Sequence, residues 1–328
     1  MSDKKMLTVS SSPHIRSDTG SRSIMLDVAA ALLPAMCAAV YIFGFRVLLL
    51  TSISVSACVF FEWSYRKLLK KPQSIGDFSA LVTGMLMAFC LPPSAPYWLP
   101  VPGAFFAIVV VKQLYGGIGK NFVNPALAAR AFLFSWPVLM GTWMTPQSYD
   151  SIFNFASDAV TGATPMSALH SGILPPDGLS NMFLGFVGGS LGEVSALALI
   201  LGGAYLIVFK IISPRIPLSY LLTVAVITFI FPKGGNGNLE WMLYNLLGGG
   251  LMLGAIFMAT DYSTSPVTPR GKIIYGVGCG LLTVFIRYFG SYAEGVSYAI
   301  LVMNVCVWLI DKYSLPRRFG VIKEGAAK

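Results

Sequence analysis

The residues with the clearest chemical potential lie between Asp158 and Thr164, in a polar connection between two blocks of apolar segments. After Asp158 and two further residues come Thr161, Gly162, Ala163 and Thr164. A threonine hydroxyl can accept a phosphoryl group once it is aligned with the phosphorus, and the small Gly162 and Ala163 let a modifying enzyme close over it. These residues make the Thr164 hydroxyl a candidate site for attachment of a phosphate-bearing group.

The composition indicates what kind of protein must position this threonine. Of 328 residues, 55% are hydrophobic and 11% are charged, whereas about a quarter of the residues in soluble domains are charged. A membrane-spanning helix needs roughly 20 apolar residues. Ten runs approach that length: residues 24–44, 47–68, 77–92, 98–116, 123–140, 188–212, 217–232, 240–260, 272–290 and 295–311. We therefore predict an all-α polytopic membrane protein with about ten transmembrane helices.

The basic residues predict the topology. A net charge of +9 could suggest nucleic acid, but Lys and Arg lie at helix ends and form no single stripe, so we expect a lipid bilayer and no nucleic acid. With the polar N-terminal segment inside, 19 of the 23 basic residues fall at cytoplasmic ends. We expect both termini in the cytoplasm of a bacterial cell. No Lys or Arg lies between Arg130 and Lys210, which predicts that Thr164 is on the outer side.

The competing interpretation of the Asp158 to Thr164 run is an ordinary Ser/Thr/Gly turn between two helices. A bare Gly-Ala-Thr sequence would favour that interpretation. Here an acidic residue, two hydroxyl residues and a Gly-Ala pair occur together, and they lie in the longest polar connection of a predicted membrane protein. The combination favours attachment over a simple turn.

Two pairs of similar stretches predict an internal repeat. Residues 84–96 are similar to 250–269, and residues 115–127 are loosely similar to 289–301. The copies are displaced by an odd number of spans, so the second would be inverted in the membrane. Chance resemblance between Gly-rich apolar sequences is the alternative. The predicted organisation is a cytoplasmic tail, a first five-helix half, an outer loop with the attachment site, a second five-helix half and a second tail: residues 1–23, 24–140, 141–187, 188–311 and 312–328.

The five cysteines all fall inside predicted spans, without a Cys-x-x-Cys pair. We predict that they are small buried hydrophobic residues. An iron–sulfur centre shared with another subunit remains open for one of them.

Longer runs of sequence resemble a known family. The run from Gly116 to Pro125, the run from Ala259 to Gly271, the turn from Phe289 to Gly295 and the acceptor motif are together similar to the RnfD/NqrB family. Its members are membrane subunits of ion-pumping redox complexes. The resemblance covers nearly all of the chain. The compact length is more similar to RnfD, from the complex that links ferredoxin and NAD, than to NqrB of the quinone-reducing complex.

The resemblance implies a role for each residue of the acceptor motif. Thr164 would be the site to which a flavin transferase esterifies FMN through its phosphate, with Asp158, Thr161, Gly162 and Ala163 as the motif around it. Thr161 stands where many relatives have Ser, and both supply a hydroxyl. The family also implies a second, non-covalent flavin within the helical body, with riboflavin as its expected identity.

Further candidate residues come from charges in or near the membrane. Arg130 and Asn124 are candidate flavin contacts, since Arg130 could neutralise a reduced flavin or its phosphate. Its place beside the helix start at Asn124 favours a structural ion pair or a snorkelling anchor instead. For an ion route the first candidates are Arg130, Glu193, Asp261 and Glu294, although Asp261 would also suit a cap of the following turn.

The resemblance implies a membrane subunit that relays electrons through covalent FMN while the complex moves Na+ or H+. Ferredoxin, NAD and the iron–sulfur clusters would belong to other membrane and peripheral subunits. Three alternatives remain: an NqrB-like subunit of a quinone reductase, a channel or transporter without redox chemistry, and a structural anchor for soluble redox subunits.

Overall fold

A computed structural model describes residues 20–141, 143–146, 164–193 and 195–315. Every regular element within these ranges is a helix. In chain order they are α1 Ser21–Phe43, α2 Arg46–Leu68, α3 Ser79–Phe89, α4 Pro100–Gln113, α5 Pro125–Leu133, α6 Pro137–Met140, α7 Pro165–His170, α8 Gly178–Leu184, α9 Ala196–Val208, α10 Arg215–Ile230, α11 Asn238–Leu247, α12 Leu251–Met258, α13 Pro269–Phe289 and α14 Val296–Ser314. The described part of the chain is therefore all-α, as its composition predicts.

The helices fall into two classes of length. Four of them, α1, α2, α13 and α14, are long and apolar enough to cross a membrane singly, and α11 with α12 makes a fifth candidate span bent by 63°. Helices α3, α4, α9 and α10 are apolar but shorter. Each of the ten predicted runs contains a helix, and the protein is a multi-pass membrane protein. The count of ten crossings and the two inverted halves stay predictions.

Proline and glycine explain why several helices are short. Helix α3 ends before Pro92 and Pro93, and α4 starts at Pro100, because proline cannot donate a backbone hydrogen bond inside a helix. Between α11 and α12, Gly249 and Gly250 have φ values of +70° and +64°, a region that favours glycine. Such breaks persist in a membrane protein only where the freed carbonyl groups find partners.

Two buried arginines supply those partners. Arg46 donates from Nε to the Pro93 carbonyl at 2.8 Å, beside the break that follows α3. Arg287 donates to the carbonyl oxygens of Asn245 at 2.5 Å and Gly248 at 2.9 Å, at the break between α11 and α12. Each arginine thus satisfies carbonyl groups that a continuous helix would have satisfied itself.

Close helix contacts depend on glycine. Helices α1 and α9 cross where an added Cβ on Gly202 would lie 2.1 Å from the carbonyl oxygen of Ala31. Helices α2 and α3 approach similarly at Gly84, where a Cβ would lie 2.7 Å from Val55 Cα. Small residues let helices approach closely inside membranes, where packing rather than water drives association.

The cysteines follow the sequence prediction only in part. Cys58, Cys90 and Cys279 are buried, as predicted. Cys306 is partly exposed and Cys37 is exposed. The prediction of burial is therefore wrong for Cys37, because a residue within a membrane helix can face outward and remain in an apolar environment.

The bundle has two distinct ends. At one, which we call the Lys112 end, the end of α2 and the start of α3 meet the end of α4, where Lys112 Nζ lies 2.9 Å from the Glu62 carboxylate. At the other, the Thr164 end, the start of α2 and the break after α3 meet the segment preceding α9, since Leu191 N donates to the Leu91 carbonyl at 3.0 Å. The connection that includes α7 and α8 packs at the Thr164 end.

Candidate functional site

Thr164 is the N-cap residue of α7. Its Oγ1 accepts a hydrogen bond from the Ser167 backbone N–H at 3.3 Å, and Pro165 occupies the first helical position. Ser167 Oγ in turn donates to the Thr164 carbonyl at 2.7 Å. These hydrogen bonds fix the backbone of Thr164, and the residue is partly exposed. Asp158, Thr161, Gly162 and Ala163 lie outside the described residues.

Helix α7 is anchored on the ends of other helices. His170 Nδ1 lies 2.9 Å from the Arg287 carbonyl oxygen, and Lys233 Nζ donates to the His170 carbonyl at 2.8 Å. Met166 and Leu169 of α7 are buried in the main hydrophobic core. Their burial holds Thr164 in place.

Two cavities meet at Thr164. The larger, which we call the Thr164 cavity, has ≈ 680 Å³ of free space, part of it open to solvent. Its main lining side chains are Phe134, Trp143, Thr164, Ser167, Tyr292, Glu294, Ser297 and Tyr298. The smaller has ≈ 330 Å³ and lies against Met166, Met182, Glu193 and the glycines between α11 and α12. A group attached to Thr164 could enter either space.

Arg130 and Glu294 form a partly buried ion pair beside the Thr164 cavity. Arg130, on α5, is 4% exposed and also donates from Nη1 to Ser297 Oγ at 3.1 Å. Its Nε finds no hydrogen-bond partner in the described part of the chain. Glu294 itself lines the cavity, in the turn before α14. The structure therefore brings the candidate Arg130 close to the environment of Thr164.

Glu193 lies in the smaller cavity at Thr164. Its carboxylate accepts a hydrogen bond from Ser190 Oγ and lies against Gly250 at the start of α12. Within the described residues no Lys or Arg forms an ion pair with it. Of the four charged residues proposed for an ion route, Arg130, Glu193 and Glu294 thus gather at the Thr164 end.

A separate cleft opens near the Lys112 end, between α1, α3, α4, α9 and the segment that follows α12. Polar residues in its lining are Ser79, Thr83, Lys112, Asn121, Asn124, Thr260, Asp261 and Ser263. Asn121 is 8% exposed, and its Nδ2 donates to Ser263 Oγ at 3.1 Å. Its Oδ1 has no partner among the described residues. The cleft, which we call the Lys112 cleft, thus includes among its lining residues a buried acceptor without a partner in the described part of the chain.

Asn124 belongs to this cleft and does not line either cavity at Thr164. Its Oδ1 caps α5 by accepting from Ala126 N at 3.0 Å, and its Nδ2 donates to the Met258 carbonyl at 3.2 Å. Contact between Asn124 and a flavin on Thr164 would therefore need a different arrangement of the helices.

Asp261 also lines the Lys112 cleft. Its carboxylate accepts hydrogen bonds from Ser263 and Thr264, so it does cap the turn that follows α12. Burial raises the pKa of the Asp261 carboxyl, and those hydrogen bonds oppose the shift.

Sequence reasoning missed the ion pair between Glu62 and Lys112. Their side chains are 0% and 3% exposed, and Lys112 also donates to Ser79 Oγ at 2.6 Å. A signal was present, because Glu62 stands inside a predicted apolar span where an acid is costly unless it is paired. Its partner, fifty residues later, was counted only as a topology marker.

Comparison with known proteins finds a matching family and similar proteins over nearly the full length of the chain. Residues 8–320 match the NQR2, RnfD, RnfE family. The chain is 49% identical to the D subunit of the Na+-translocating ferredoxin:NAD+ oxidoreductase complex of Acetobacterium woodii, over 97% of this chain and 96% of that protein. It is 41% identical to the D subunit of the proton-translocating ferredoxin:NAD+ oxidoreductase complex of Clostridium ljungdahlii, over 97% of each.

A third relative is the D subunit of the ion-translocating oxidoreductase complex of Actinobacillus succinogenes, which is 37% identical over 96% of this chain and 98% of its own length. Identity of this extent, together with an all-helical membrane fold, exceeds what a shared composition could produce. The chain belongs to the NQR2, RnfD, RnfE family.

Proposed function

We propose that this protein is the RnfD-type membrane subunit of an ion-translocating ferredoxin:NAD+ oxidoreductase complex, and that it relays electrons through FMN esterified to Thr164. The observation that supports the first part is identity to named D subunits of such complexes along nearly the full length of both chains. As a member of a complex, the protein would work with other membrane and peripheral subunits, and a flavin transferase would mature it.

The residues at Thr164 fit the attached group. Thr164 lines both cavities. The Ser167 N–H donates a hydrogen bond to Thr164 Oγ1, and it could donate to the same oxygen after the ester has formed. A bound flavin would supply one- and two-electron transfer chemistry. The protein would fix its position, exclude water on the side of the core and set its surrounding charge through Arg130 and Glu294.

The Lys112 cleft fits a second, non-covalent flavin such as riboflavin. The cleft has ≈ 770 Å³ of free space, part of it open to solvent, with apolar walls and several polar groups. The unpaired Oδ1 of Asn121 could accept from an N–H of a flavin ring. This site is distinct from the one at Thr164, so the two flavins would lie toward opposite ends of the bundle.

The proposed location is the bacterial cytoplasmic membrane, with both termini in the cytoplasm and Thr164 on the outer side. The support is the clustering of basic residues toward the Lys112 end, which includes Arg66, Lys67, Lys112, Lys210 and Arg270. Arg46, Arg130, Lys233 and Arg287 lie toward the Thr164 end.

The first prediction tests the attachment. On a denaturing gel under ultraviolet light, the protein from cells that express the transferase should give a fluorescent band. Thr164→Ala should abolish that band, because no hydroxyl remains to form the ester. Thr164→Ser keeps the hydroxyl and should retain fluorescence, and Ser167→Ala, one helical turn away, should also retain it.

The same samples report on the second flavin. Acid-extractable flavin should persist in Thr164→Ala and decrease in Asn121→Leu, which keeps its fluorescent band. A dark wild-type band at this mass would contradict covalent attachment and favour a channel or transporter. Retained complex activity in the Thr164→Ala variant, which lacks covalent flavin, would instead favour a structural anchor.

A further inference from the structure

Four aromatic residues line the larger space beside Thr164, and three of them, Phe134, Tyr292 and Tyr298, lie against one another. Phe134 follows the end of α5, Tyr292 lies in the turn before α14, and Tyr298 lies in the first turn of α14. The centroids of the Tyr292 and Tyr298 rings are 5.1 Å apart, and Phe134 lies 6.0 Å from Tyr292 and 6.4 Å from Tyr298. These side chains form one aromatic wall of the Thr164 cavity.

The ordinary explanation for such rings is an aromatic belt at the membrane–water interface. An aromatic belt requires no charge beneath the rings. Here the Arg130 guanidinium carbon lies 5.5 Å from the Phe134 ring centroid, and Arg130 is paired with Glu294. Arg130 is buried, and its Nε has no partner in the described chain. The cavity thus combines an aromatic wall with the Glu294 carboxylate in its lining, and Arg130 lies behind that carboxylate as its ion-pair partner.

This combination matches the chemistry of an isoalloxazine ring system. The ring is flat and aromatic, and aromatic side chains interact with such rings at centroid distances like those within this cluster. The smaller cavity at Thr164 has about half the free space, ≈ 330 Å³ against ≈ 680 Å³, and its wall contains methionines and glycines instead of aromatic rings.

We propose that the Thr164 cavity is the binding site for the isoalloxazine ring of the flavin attached to Thr164, with Phe134, Tyr292 and Tyr298 as its stacking surface and the ion pair of Arg130 with Glu294 beside it. This inference rests on the proposed function and adds to it the residues that hold the ring. The aromatic residues are positioning residues: they fix the ring after the ester has fixed the phosphate.

The test uses the fluorescence of the covalent flavin in the native complex. Tyrosine in contact with a flavin quenches its fluorescence, because the phenol gives an electron to the excited ring. Subtracting the signal of Thr164→Ala, which lacks covalent flavin, isolates the contribution of the attached ring. We expect Tyr292→Leu and Tyr298→Leu, singly and together, to lengthen the fluorescence lifetime of the attached flavin and to lower its anisotropy.

Tyr313→Leu is the matched control, since Tyr313 lies on the same helix as Tyr298, is 81% exposed and is outside the cavity. It should leave lifetime and anisotropy at wild-type values. The fluorescent band on a denaturing gel measures flavin loading separately. Tyr292 is 51% exposed in a turn, so its replacement should not prevent folding even if Tyr298→Leu does.

Unchanged lifetime and anisotropy in fully loaded Tyr292→Leu and in the double variant would overturn the ring site while leaving the attachment intact. A wild-type protein with no covalent flavin would overturn the attachment and the ring site together. Longer lifetimes confined to the cavity variants would support the inference.

Discussion

The ion pair of Glu62 and Lys112 shows how the bundle accommodates buried charged side chains. Lys112 Nζ is shared between the Glu62 carboxylate and Ser79 Oγ, and Gln113 Nε2 donates to Glu62 at 2.9 Å. Ser74 Oγ also donates to Glu62. With each polar atom partnered, both groups can stay charged in an apolar setting.

We predict that Lys112→Met strongly destabilises the protein. It removes the partner of a buried carboxylate and should lower the free energy of unfolding by about 3–5 kcal/mol. The thermal midpoint of the purified protein in detergent would measure the loss. Adding Glu62→Gln should recover part of the stability, because the uncompensated charge is then gone.

Lys120→Met serves as the control, since Lys120 is exposed and its replacement should change stability by less than about 0.5 kcal/mol. If Lys112→Met melted with the wild type, the buried pair would have no structural role.

Among the helices, the contact between α1 and α9 depends most clearly on a glycine, because Gly202 has no side chain at the point of closest approach. Gly202 lies against the backbone of α1, and the hydroxyl of Tyr205, one turn further, donates to Asp27 at 3.2 Å. The glycine and the tyrosine therefore act on the same face of α9. This contact joins a helix of the predicted first half to a helix of the predicted second half.

Gly202→Ala should push α1 and α9 apart, because the added Cβ would lie 2.1 Å from the Ala31 carbonyl oxygen, which is backbone and cannot rotate away. We expect a loss of roughly 1–3 kcal/mol in the free energy of unfolding, typical of overpacking. Gly76→Ala is the matched change in open space, with nothing within 4 Å of the added Cβ. Equal thermal midpoints for the two variants would show that the helices can separate without cost.

At the scale of the whole molecule, the proposed topology places the two ends of the bundle on opposite sides of the membrane. A reagent that cannot cross the membrane should therefore reach only one of them. Ile173 follows α7 at the Thr164 end and is 64% exposed, and Leu68 ends α2 near the Lys112 end and is 84% exposed. Ile173→Cys in intact cells should react with a membrane-impermeant maleimide, and Leu68→Cys should react only after the membrane is opened. The parent protein, whose cysteines all lie in helices or at helix ends, measures the background.

Labelling of Leu68→Cys but not Ile173→Cys in intact cells would invert the proposed topology and place Thr164 in the cytoplasm. That result would leave the helix packing unchanged, because the contacts between helices are the same in either orientation across the bilayer.

The sequence alone determined the features that depend on local composition. Apolar runs determined where helices form, since the lipid interior requires each backbone group to be bonded within its own segment. Pro92 and Pro93 act on the backbone directly and lie at the end of the predicted run 77–92, where α3 ends. The predicted run 240–260 did not show the break at Gly249 and Gly250, where the structure separates α11 from α12. The Asp158 to Thr164 run singled out one hydroxyl by its resemblance to a family motif, and attachment there stays a prediction.

Only the tertiary structure decided which residues meet. Arg130 pairs with Glu294 across 164 positions, and Lys112 pairs with Glu62 across 50. The aromatic wall beside Thr164 joins Phe134 to Tyr292 and Tyr298 in the same way. Such contacts depend on how helices pack side by side, and helix packing is determined by the shapes of whole faces, which no local pattern encodes.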